Sequence, residues 1–171
     1  MSKKGRAYLL VFGIITTYAG AVFAIQIAAP DNPIEPDNFP TKCPEDSINC
    51  SLIAPNHHRS GNLTEIRINA SLLEVMAEVR KWIDSQSGTS TIGDWPEQTQ
   101  AVFRTLIMRF PDDFLVQGFC DNGDSVLYVY SQSRLGVSDL GVNKARVESF
   151  AEHMANVEMA TSECVLSLIH I

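Results

Sequence analysis

Apolar residues between positions 72 and 83 recur at three- and four-residue spacing, which is the period of an amphipathic helix. Ser71 precedes this run and Glu74 lies three residues later, so the pair predicts a capping box at the start of the helix. Residues 85–88, Ser-Gln-Ser-Gly, interrupt the pattern and predict its end. This part of the chain is therefore predicted to form one helix that buries a single face.

After the helix, the hydrophobic pattern becomes that of β-strands. The predicted strands are residues 101–108, 114–119 and 125–133. Asn122-Gly123 predicts a tight hairpin between the second and third strands, and residues 111–113 predict a turn between the first and second. These strands should form an antiparallel meander, and residues 66–68 or 89–92 are candidates for an additional edge strand.

A closing helix is predicted to begin near Asn143. Its apolar face contains Val147, Phe150, Met154 and Val157. The whole pattern predicts an α+β fold, in which two helices pack on one face of an antiparallel sheet meander of three to five strands. An N-terminal transmembrane helix is predicted to precede this domain.

That N-terminal helix is predicted from an uninterrupted apolar run at residues 7–29. The run is 23 residues long and contains no acidic or basic side chain. At a rise of about 1.5 Å per residue, a helix of this length matches the roughly 30 Å hydrocarbon core of a bilayer. The alternative is a signal peptide cleaved near residues 22–24, where Val22 and Ala24 offer small side chains. We favour a retained anchor, because the run is longer than the usual apolar core of a signal peptide.

Basic residues before the apolar run indicate its orientation. Lys3, Lys4 and Arg6 should remain in the cytoplasm under the positive-inside rule. The sequence therefore predicts a single-pass protein of the bacterial inner membrane with a cytoplasmic N-terminus. Residues 30–171 would lie in the periplasm, or in the equivalent thylakoid lumen.

Composition divides the chain into four predicted parts. They are an anchor or signal peptide at 1–29, a Pro-rich linker at 30–44, an α+β domain at 45–160 and a tail at 161–171. The linker contains five of the eight prolines, which predicts a stiff spacer of about 45 Å that holds the domain away from the membrane. The last six residues, LSLIHI, resemble the translation of a sequencing adapter, so we expect the natural C-terminus to differ. A short apolar strand at 164–171 is the alternative.

Charged residues are strongly segregated along the chain. Three of the 13 basic residues precede the apolar run and all 20 acidic residues follow it, so residues 30–171 carry a formal charge of −10. A domain of this charge is repelled by nucleic acid and by anionic lipid headgroups. We therefore predict no nucleic-acid partner.

All four cysteines lie beyond the apolar run, in a compartment that permits disulfides. Cys43 and Cys50 enclose six residues, a spacing that suits neither a redox Cys-x-x-Cys motif nor a zinc knuckle. We expect a Cys43–Cys50 disulfide. Cys120–Cys164 is a second expected pair, and its alternative is two free buried thiols.

No pattern in the sequence predicts a metal ion or a cofactor. His57 and His58 are adjacent, but neighbouring histidines rarely share one ion and no helical His-x-x-x-His partner is present. A surface loop is therefore the favoured interpretation of this pair. We predict neither a metal site nor a bound cofactor.

Polar residues concentrate where the last predicted strand meets the closing helix. The candidate polar cluster consists of Asp112, Asp113, Ser133, Arg134, Asp139, Asn143 and Arg146. Asp139 and Asn143 are good helix-capping residues. Arg134 and Arg146 can each bind the carboxylate of Asp112, Asp113 or Asp139 through two parallel N–H···O hydrogen bonds. We favour a structural network that locks the strand-to-helix turn over a ligand-binding site.

Residues 131–148, SQSRLGVSDLGVNKARVE, together with Phe-Pro-Asp-Asp at 110–113, resemble the signature of domain-of-unknown-function family 1499 (DUF1499). The resemblance covers roughly residues 43–154. Cys43-Pro44 and Asn49-Cys50 are similar to the first segment of that family, with extra residues between them. The resemblance implies an exported bacterial-envelope or chloroplast protein without an assigned chemistry, and it carries no catalytic residue over to this chain.

Two classes of function are consistent with these patterns. The first is a non-catalytic exported module, anchored in the membrane, that docks onto a membrane protein complex or binds a small ligand. The lack of a recognisable catalytic motif favours it, although the sequence leaves enzymatic activity open. The second is an envelope hydrolase. Its acid and base groups would be Asp112, Asp113 and Asp139, and its substrate-holding groups would be Arg134 and Arg146. A hydrolase requires these side chains to converge on an open cleft, whereas a structural network pairs and buries them.

Overall fold

The structure is a computed structural model that describes residues 2–164, apart from the side chain of Lys3. Within that range the chain forms three α-helices and six β-strands. The helices are α1 (Lys3–Ala28), α2 (Leu72–Ser85) and α3 (Val142–Asn156), and a short 3₁₀ turn lies at Pro36–Asn38. The strands are β1 (Cys50–Ile53), β2 (Ile66–Ile68), β3 (Thr89–Asp94), β4 (Gln98–Arg104), β5 (Pro111–Asp121) and β6 (Asp124–Ser133). Both interpretations of the last six residues concern positions outside the described range.

The strands form one antiparallel sheet in the order β1, β6, β5, β4, β3. β2 also pairs with β6, so β1 and β2 share one position at the sheet edge. The α+β prediction is confirmed, with six strands in place of three to five. Both candidate edge segments, residues 66–68 and 89–92, are strands, whereas β1 was not predicted.

Local chemistry at the element ends agrees with the sequence patterns. Ser71 accepts a hydrogen bond from the Glu74 backbone N–H at 3.3 Å and donates to the Glu74 carboxylate at 2.7 Å, which confirms the cap of α2. Asn122 and Gly123 both have positive φ, 52° and 88°. Positive φ at both central positions is what the tight β5–β6 hairpin turn requires.

The turn between β4 and β5 differs from the prediction. β4 ends at Arg104 and β5 begins at Pro111, so residues 111–113 belong to a strand and the predicted turn there is wrong. The reversal occurs instead at residues 105–110, which we call the hairpin tip. Thr105 N–H donates to the Phe110 carbonyl and Arg109 N–H donates to the Thr105 carbonyl, each at 3.1 Å. The apolar residues of the tip do not continue the strand, because these two bonds close the chain into a turn.

Helices α2 and α3 cover one face of the sheet, as predicted. The core between the helices and the sheet is built around Trp82, whose ring centroid lies 5.4 Å from Phe114 and 5.0 Å from Phe150. The last two side chains are fully buried. Burial of such aromatic groups makes this face the main hydrophobic contribution to the stability of the fold.

Residues 32–39 cover the opposite face, and we call this segment the strap. Gln98 donates to the Ile34 carbonyl at 2.6 Å, Gln100 accepts from the Ile34 N–H at 2.6 Å, and Gln117 donates to the Pro36 carbonyl at 2.8 Å. The prediction of a free spacer is therefore wrong for the strap. Ile34 lies before the 3₁₀ turn and its backbone groups have no partner within the strap, so they are available to the glutamine side chains of the sheet. The Pro36 carbonyl accepts from both Gln117 and the Phe39 N–H.

Two disulfides brace the domain, in the pairing expected from the sequence. Cys43–Cys50 joins the segment after the strap to β1, with a Cα–Cα distance of 5.9 Å. Cys120–Cys164 joins the end of β5 to the last described residue, with a Cα–Cα distance of 5.5 Å. The four cysteines of the chain are thus all paired.

Helix α1 is apolar and lies outside the core of the domain. Its segment Lys4–Ala28 has a mean hydropathy of 2.0, is not buried in the fold, and is long enough to span a membrane. Its C-terminal half contacts the hairpin tip. The Tyr18 hydroxyl donates to the Ile107 carbonyl at 2.6 Å, and the Gln26 amide donates to the Arg109 carbonyl at 2.9 Å.

Candidate functional site

The seven predicted polar residues lie at one end of the sheet. Six of them belong to two networks that the sheet separates, and Asp139 lies outside both. Asp112 and Asp113 are consecutive residues of β5, and consecutive side chains of a strand point to opposite faces. Asp112 therefore lies beneath the helices, whereas Asp113 lies on the face covered by the strap. Each arginine binds the carboxylate on its own side.

The helix-side network is buried between β5, β6 and α3. Its members are Asp112, Ser131, Ser133, Asn143 and Arg146. Arg146 donates to Asp112 at 3.0 Å, and Ser133 donates to the other Asp112 oxygen at 2.6 Å. Asn143 donates to Ser133 at 3.0 Å and accepts from Ser131 at 2.6 Å. Every member is thus held by at least two polar contacts within the network or with the adjacent backbone.

Arg146 is the only basic side chain of the helix-side network, and only 10% of it is exposed. Its guanidinium stacks on the Phe103 ring, 4.3 Å from the centroid. Burial lowers the pKa of Arg146, and the negative charge and hydrogen bond of Asp112 offset part of that effect. The ion pair therefore neutralises a charge that would otherwise be unpaired inside the domain.

The strap-side network joins the sheet to the residues that follow α1. Its members are Asp31, Arg104, Asp113 and Arg134. Arg134 binds Asp113 through two nitrogens at 2.9 and 2.8 Å, and it also contacts Asp31 at 2.7 Å. Arg104 binds both oxygens of Asp31 at 3.0 Å.

Protonation equilibria in the strap-side network reflect these contacts. The hydrogen bond to Asp113 raises the pKa of Arg134. Partial burial raises the pKa of Asp31, but hydrogen bonds and charge from Arg134 and Arg104 outweigh burial, and the net shift of that pKa is downward. Asp31 thus remains ionised between two guanidinium groups.

Asp139 has a different role from the other carboxylates. It accepts hydrogen bonds from the backbone N–H groups of Gly141 at 2.9 Å and Asn143 at 2.7 Å, so it caps α3 from two residues before the helix boundary. Burial raises the pKa of Asp139, but these backbone bonds and Arg59, 3.7 Å away, give a net lowering. The N-cap position itself is Gly141, and Asp139 pairs the N–H groups of Gly141 and Asn143 from outside the helix. Asn143 is not a cap, because it lies inside the first turn of α3 with its side chain in the helix-side network.

Two open grooves on the described residues each fail to bring the predicted acid, base and arginine groups together. A groove of about 340 Å³ is lined by Pro30, Asn32, Ile34, Asp113, Gln132, Ser133 and Arg134. A second groove of about 430 Å³ lies on the helices, beside Trp82 and His153. Arg134 is the only one of the two predicted substrate-holding arginines in either groove, and it is already paired. Paired and largely buried charges of this kind favour a structural network over an open catalytic cleft.

The potential metal ligands of residues 2–164 are dispersed. No group of three or more His, Cys, Asp or Glu side chains in that range has a suitable arrangement. His58 instead contacts the Ser47 carbonyl at 2.7 Å, and His57 is exposed. The adjacent histidines thus lie in a loop.

Three members of the networks were not identified from the sequence: Asp31, Arg104 and Ser131. The neighbouring Asn49, which contacts the helix-side network, was also missed. Asp31 is the first charged residue after the apolar run, and Arg104 is a lone charge at the end of a hydrophobic strand, so both carried a weak signal. Asn49 contributes its backbone carbonyl to Asn143 at 3.1 Å, and its side chain donates to the Gly136 carbonyl at 2.7 Å. Nothing in the spacing of Asn49 relative to β6 and α3 predicts that contact.

Comparison with known proteins identifies a family whose function is unknown. No curated protein matches the chain. The family model described as "Protein of unknown function (DUF1499)" matches residues 33–154, a range that begins in the strap and ends in α3. That range covers well over half of the chain and contains every residue of both networks except Asp31. The chain therefore belongs to the DUF1499 family of proteins of unknown function.

Proposed function

We propose that this protein is a membrane-anchored, exported, non-catalytic module that serves as an accessory or ligand-binding protein of the cell envelope. The observation that carries the proposal is the joint between α1 and the domain. Asp31 lies three residues after α1 and binds both Arg104 and Arg134 of the sheet. An apolar helix fixed to a folded domain in this way is suited to act as a permanent anchor.

The contacts of α1 support retention of the helix over its cleavage. Tyr18, Ala21 and Val22 lie before or at the candidate cleavage position, and the last two are partly covered by the domain. Cleavage near residues 22–24 would remove the hydrogen bond from Tyr18 to the hairpin tip. A signal peptide that is discarded has no need of such contacts with the mature domain.

The proposed orientation places the N-terminus in the cytoplasm and the domain in the periplasm or the thylakoid lumen. Lys4 and Arg6 precede the apolar segment, and basic residues favour the cytoplasmic side. The two disulfides support an oxidising compartment for the domain. The positive charges define only the side of the membrane on which the N-terminus lies. The disulfides add that the compartment of the domain is oxidising, as the periplasm and the thylakoid lumen are.

Docking is the favoured role within this proposal, and binding of a small ligand is the other. The groove beside Arg134 is the place where a ligand would be sought, but its charged groups Asp113 and Arg134 already bind each other. A charged ligand would therefore have to displace an existing ion pair. The proposed partner is a membrane protein complex that the anchored domain joins as an accessory subunit.

The test is expression of the full chain with a C-terminal tag, followed by extraction of membranes in mild detergent. We expect a tagged chain of intact mass in the membrane fraction after a high-salt wash, and in a larger assembly on a native gel. Mass spectrometry of that band would identify the partner. Recovery of a shortened chain in the soluble fraction would contradict the anchor, and recovery of the intact chain as a monomer would contradict the accessory role.

A further inference from the structure

We propose that the end of the domain at which α1 is attached lies against the lipid bilayer, with the hairpin tip inserted beside the helix. This inference rests on the proposed anchoring of α1 and goes beyond it, because a domain on an anchor need not touch the membrane. The occupant of this surface would be phospholipid, with acyl chains around the tip.

The first observation is the distribution of exposed apolar side chains outside α1. Seven of the nine large exposed hydrophobic side chains of the described domain lie at one end of the sheet, which we call the apolar end. They are Ile48, Leu106, Ile107, Phe110, Val137, Leu140 and Val142. Leu106 is 91% exposed and Leu140 is 97% exposed. Single exposed apolar residues are ordinary, but a group of this size at one end of a domain indicates an interaction surface.

The sheet register places these segments at the same end. Arg104 of β4 pairs with Pro111 of β5, and Asp112 pairs with Ser133 of β6, so the hairpin tip and the loop at residues 135–141 both leave this end. Ile48 forms a bridge with Ser138 of that loop. The end of α1 is also here, because Arg134 contacts the carbonyl of Pro30 at 3.0 Å.

The second observation is the depth of the tip along α1. A hydrocarbon core of roughly 30 Å holds about 20 helical residues, and counted from Ala7 these end near Gln26. Gln26 donates to the Arg109 carbonyl, and Tyr18 donates to the Ile107 carbonyl. Tyr18 lies eight residues before Gln26 in α1, and is therefore deeper in the bilayer. Eight helical residues correspond to about 12 Å. If α1 spans the bilayer, Ile107 therefore lies below the surface of the hydrocarbon.

The third observation is that several backbone groups of the tip, though not the N–H groups of residues 106–108, are paired within the protein. Hydrocarbon offers no partner for a carbonyl or an N–H, so inserted backbone groups must be paired within the protein. Thr105 and Arg109 pair with backbone groups of the tip, and the Phe110 N–H donates to the Thr105 hydroxyl at 2.9 Å. The carbonyls of Ile107 and Arg109 are paired by α1 itself. This pairing also explains why Tyr18 and Gln26 interrupt an otherwise apolar helix.

The charge distribution agrees with this orientation. The two turns at the opposite end of the sheet contain Asp94, Glu97, Asp121 and Asp124. At the apolar end, the carboxylates of Asp31, Asp112 and Asp113 are paired with arginines. These four acidic residues therefore lie away from the proposed membrane surface, whereas Glu45 and Asp46 are exposed near Ile48 at the apolar end.

The experiment places one nitroxide label at a time on the full chain in phosphatidylcholine nanodiscs. The four native cysteines are paired, so an introduced cysteine is the only reactive thiol. The test positions are Leu106→Cys and Leu140→Cys, the anchor position is Phe12→Cys, and the matched control is Leu73→Cys. Leu73 is 79% exposed and lies at the start of α2, at the far end of the sheet. Accessibility is measured to oxygen, which enters lipid, and to a nickel complex, which remains in water.

We expect nickel accessibility at positions 12 and 106 to be about tenfold or more below that at position 73, since a polar complex is excluded from hydrocarbon. Oxygen accessibility at position 106 should be high, and position 140 should fall between 106 and 73. Equal nickel accessibility at 106 and 73, with position 12 in lipid, would overturn this inference and leave the anchor intact. Exclusion of both reagents from position 106 would also overturn it, because that result indicates a protein partner. A water-accessible position 12 would instead contradict the proposed anchoring.

Discussion

The two faces of the sheet are covered by different kinds of structure. Helices α2 and α3 bury a continuous aromatic core and an ion pair whose side chains are only 10% and 4% exposed. The strap covers the other face through glutamine side chains, and its ion pairs include Asp31, which is 42% exposed. The helix face thus buries the larger core, whereas the strap face buries a smaller cluster around Phe39, Leu115 and Tyr130 and attaches the domain to α1. Variants on the two faces should therefore have different consequences.

The largest effect is expected from Asp112→Ala on the helix face. It would leave the Arg146 guanidinium buried without its carboxylate, which typically costs about 3–5 kcal/mol of unfolding free energy. Denaturant unfolding of the full chain in detergent, followed by tryptophan fluorescence, would measure this loss. The matched control is Asp112→Leu combined with Arg146→Met, which removes both charges and should cost less than Asp112→Ala alone. A loss below about 1 kcal/mol for Asp112→Ala would show that the pair is not buried as described.

Removing each disulfide in turn should distinguish the stability of the strap from that of the rest of the domain. The cysteines of Cys43–Cys50 are 7 residues apart and those of Cys120–Cys164 are 44 apart. Loop-closure entropy then predicts losses of about 2 and about 4 kcal/mol for the respective double serine variants. Hydrogen exchange should show early loss of protection in the strap only in the Cys43→Ser, Cys50→Ser variant. Equal protection of the strap in both variants would mean that the glutamine contacts alone hold it.

Asp139 should make the free energy of unfolding depend on pH. Its pKa is lowered in the fold, so its ionised form contributes stability above its ordinary value of 3.8, and that contribution is lost as the pH falls through the lower folded pKa. At neutral pH, Asp139→Asn should cost about 1 kcal/mol through the weakened cap of α3. Unfolding measured between pH 2 and 7 should show a smaller acid-dependent loss in the variant than in the native chain. An unchanged pH profile would show that the carboxylate charge of Asp139 contributes nothing to the cap.

The sequence predicted those elements whose signals are local. The capping box at Ser71 and Glu74, the period of α2 and the Asn122-Gly123 turn each need only a few neighbouring residues. β1 was missed because its four residues are all buried, so it lacks the alternation of a half-buried strand. The strap was misinterpreted because proline-rich backbone has the same sequence pattern whether it is free in water or packed on a sheet.

Six of the seven predicted cluster residues belong to the two networks, but the division between two faces of the sheet was not predicted. Asp112 and Asp113 were placed in one cluster because they are adjacent in sequence, and their separation depends on the strand register. A shift of one residue would exchange the faces of the two carboxylates. The burial of Asn143 depends on the docking of α3 against β6 and the Asn49 carbonyl. Such contacts join segments distant in sequence, so no local pattern contains them.

A similarly small effect on stability, and the sharpest test of the comparison, is expected from Arg134→Gln on the strap face. Arg134 and Asp113 are only 11% and 17% exposed, but Asp113 would keep its hydrogen bond from Gln100 at 2.9 Å. The pair with Asp31 is partly exposed, so the unfolding free energy should fall by about 1 kcal/mol, well below the loss in Asp112→Ala. The joint between α1 and the domain should nevertheless loosen, because Asp31 would retain only Arg104. Pulsed electron paramagnetic resonance between labels at Phe23→Cys and Leu73→Cys would report the joint as the width of a distance distribution. We expect that width to increase in Arg134→Gln and to remain unchanged in the matched control Arg67→Gln, which removes a surface ion pair with Asp121 at the other end of the sheet. An unchanged width in both variants would mean that the strap, and not Asp31, orients the domain on its anchor.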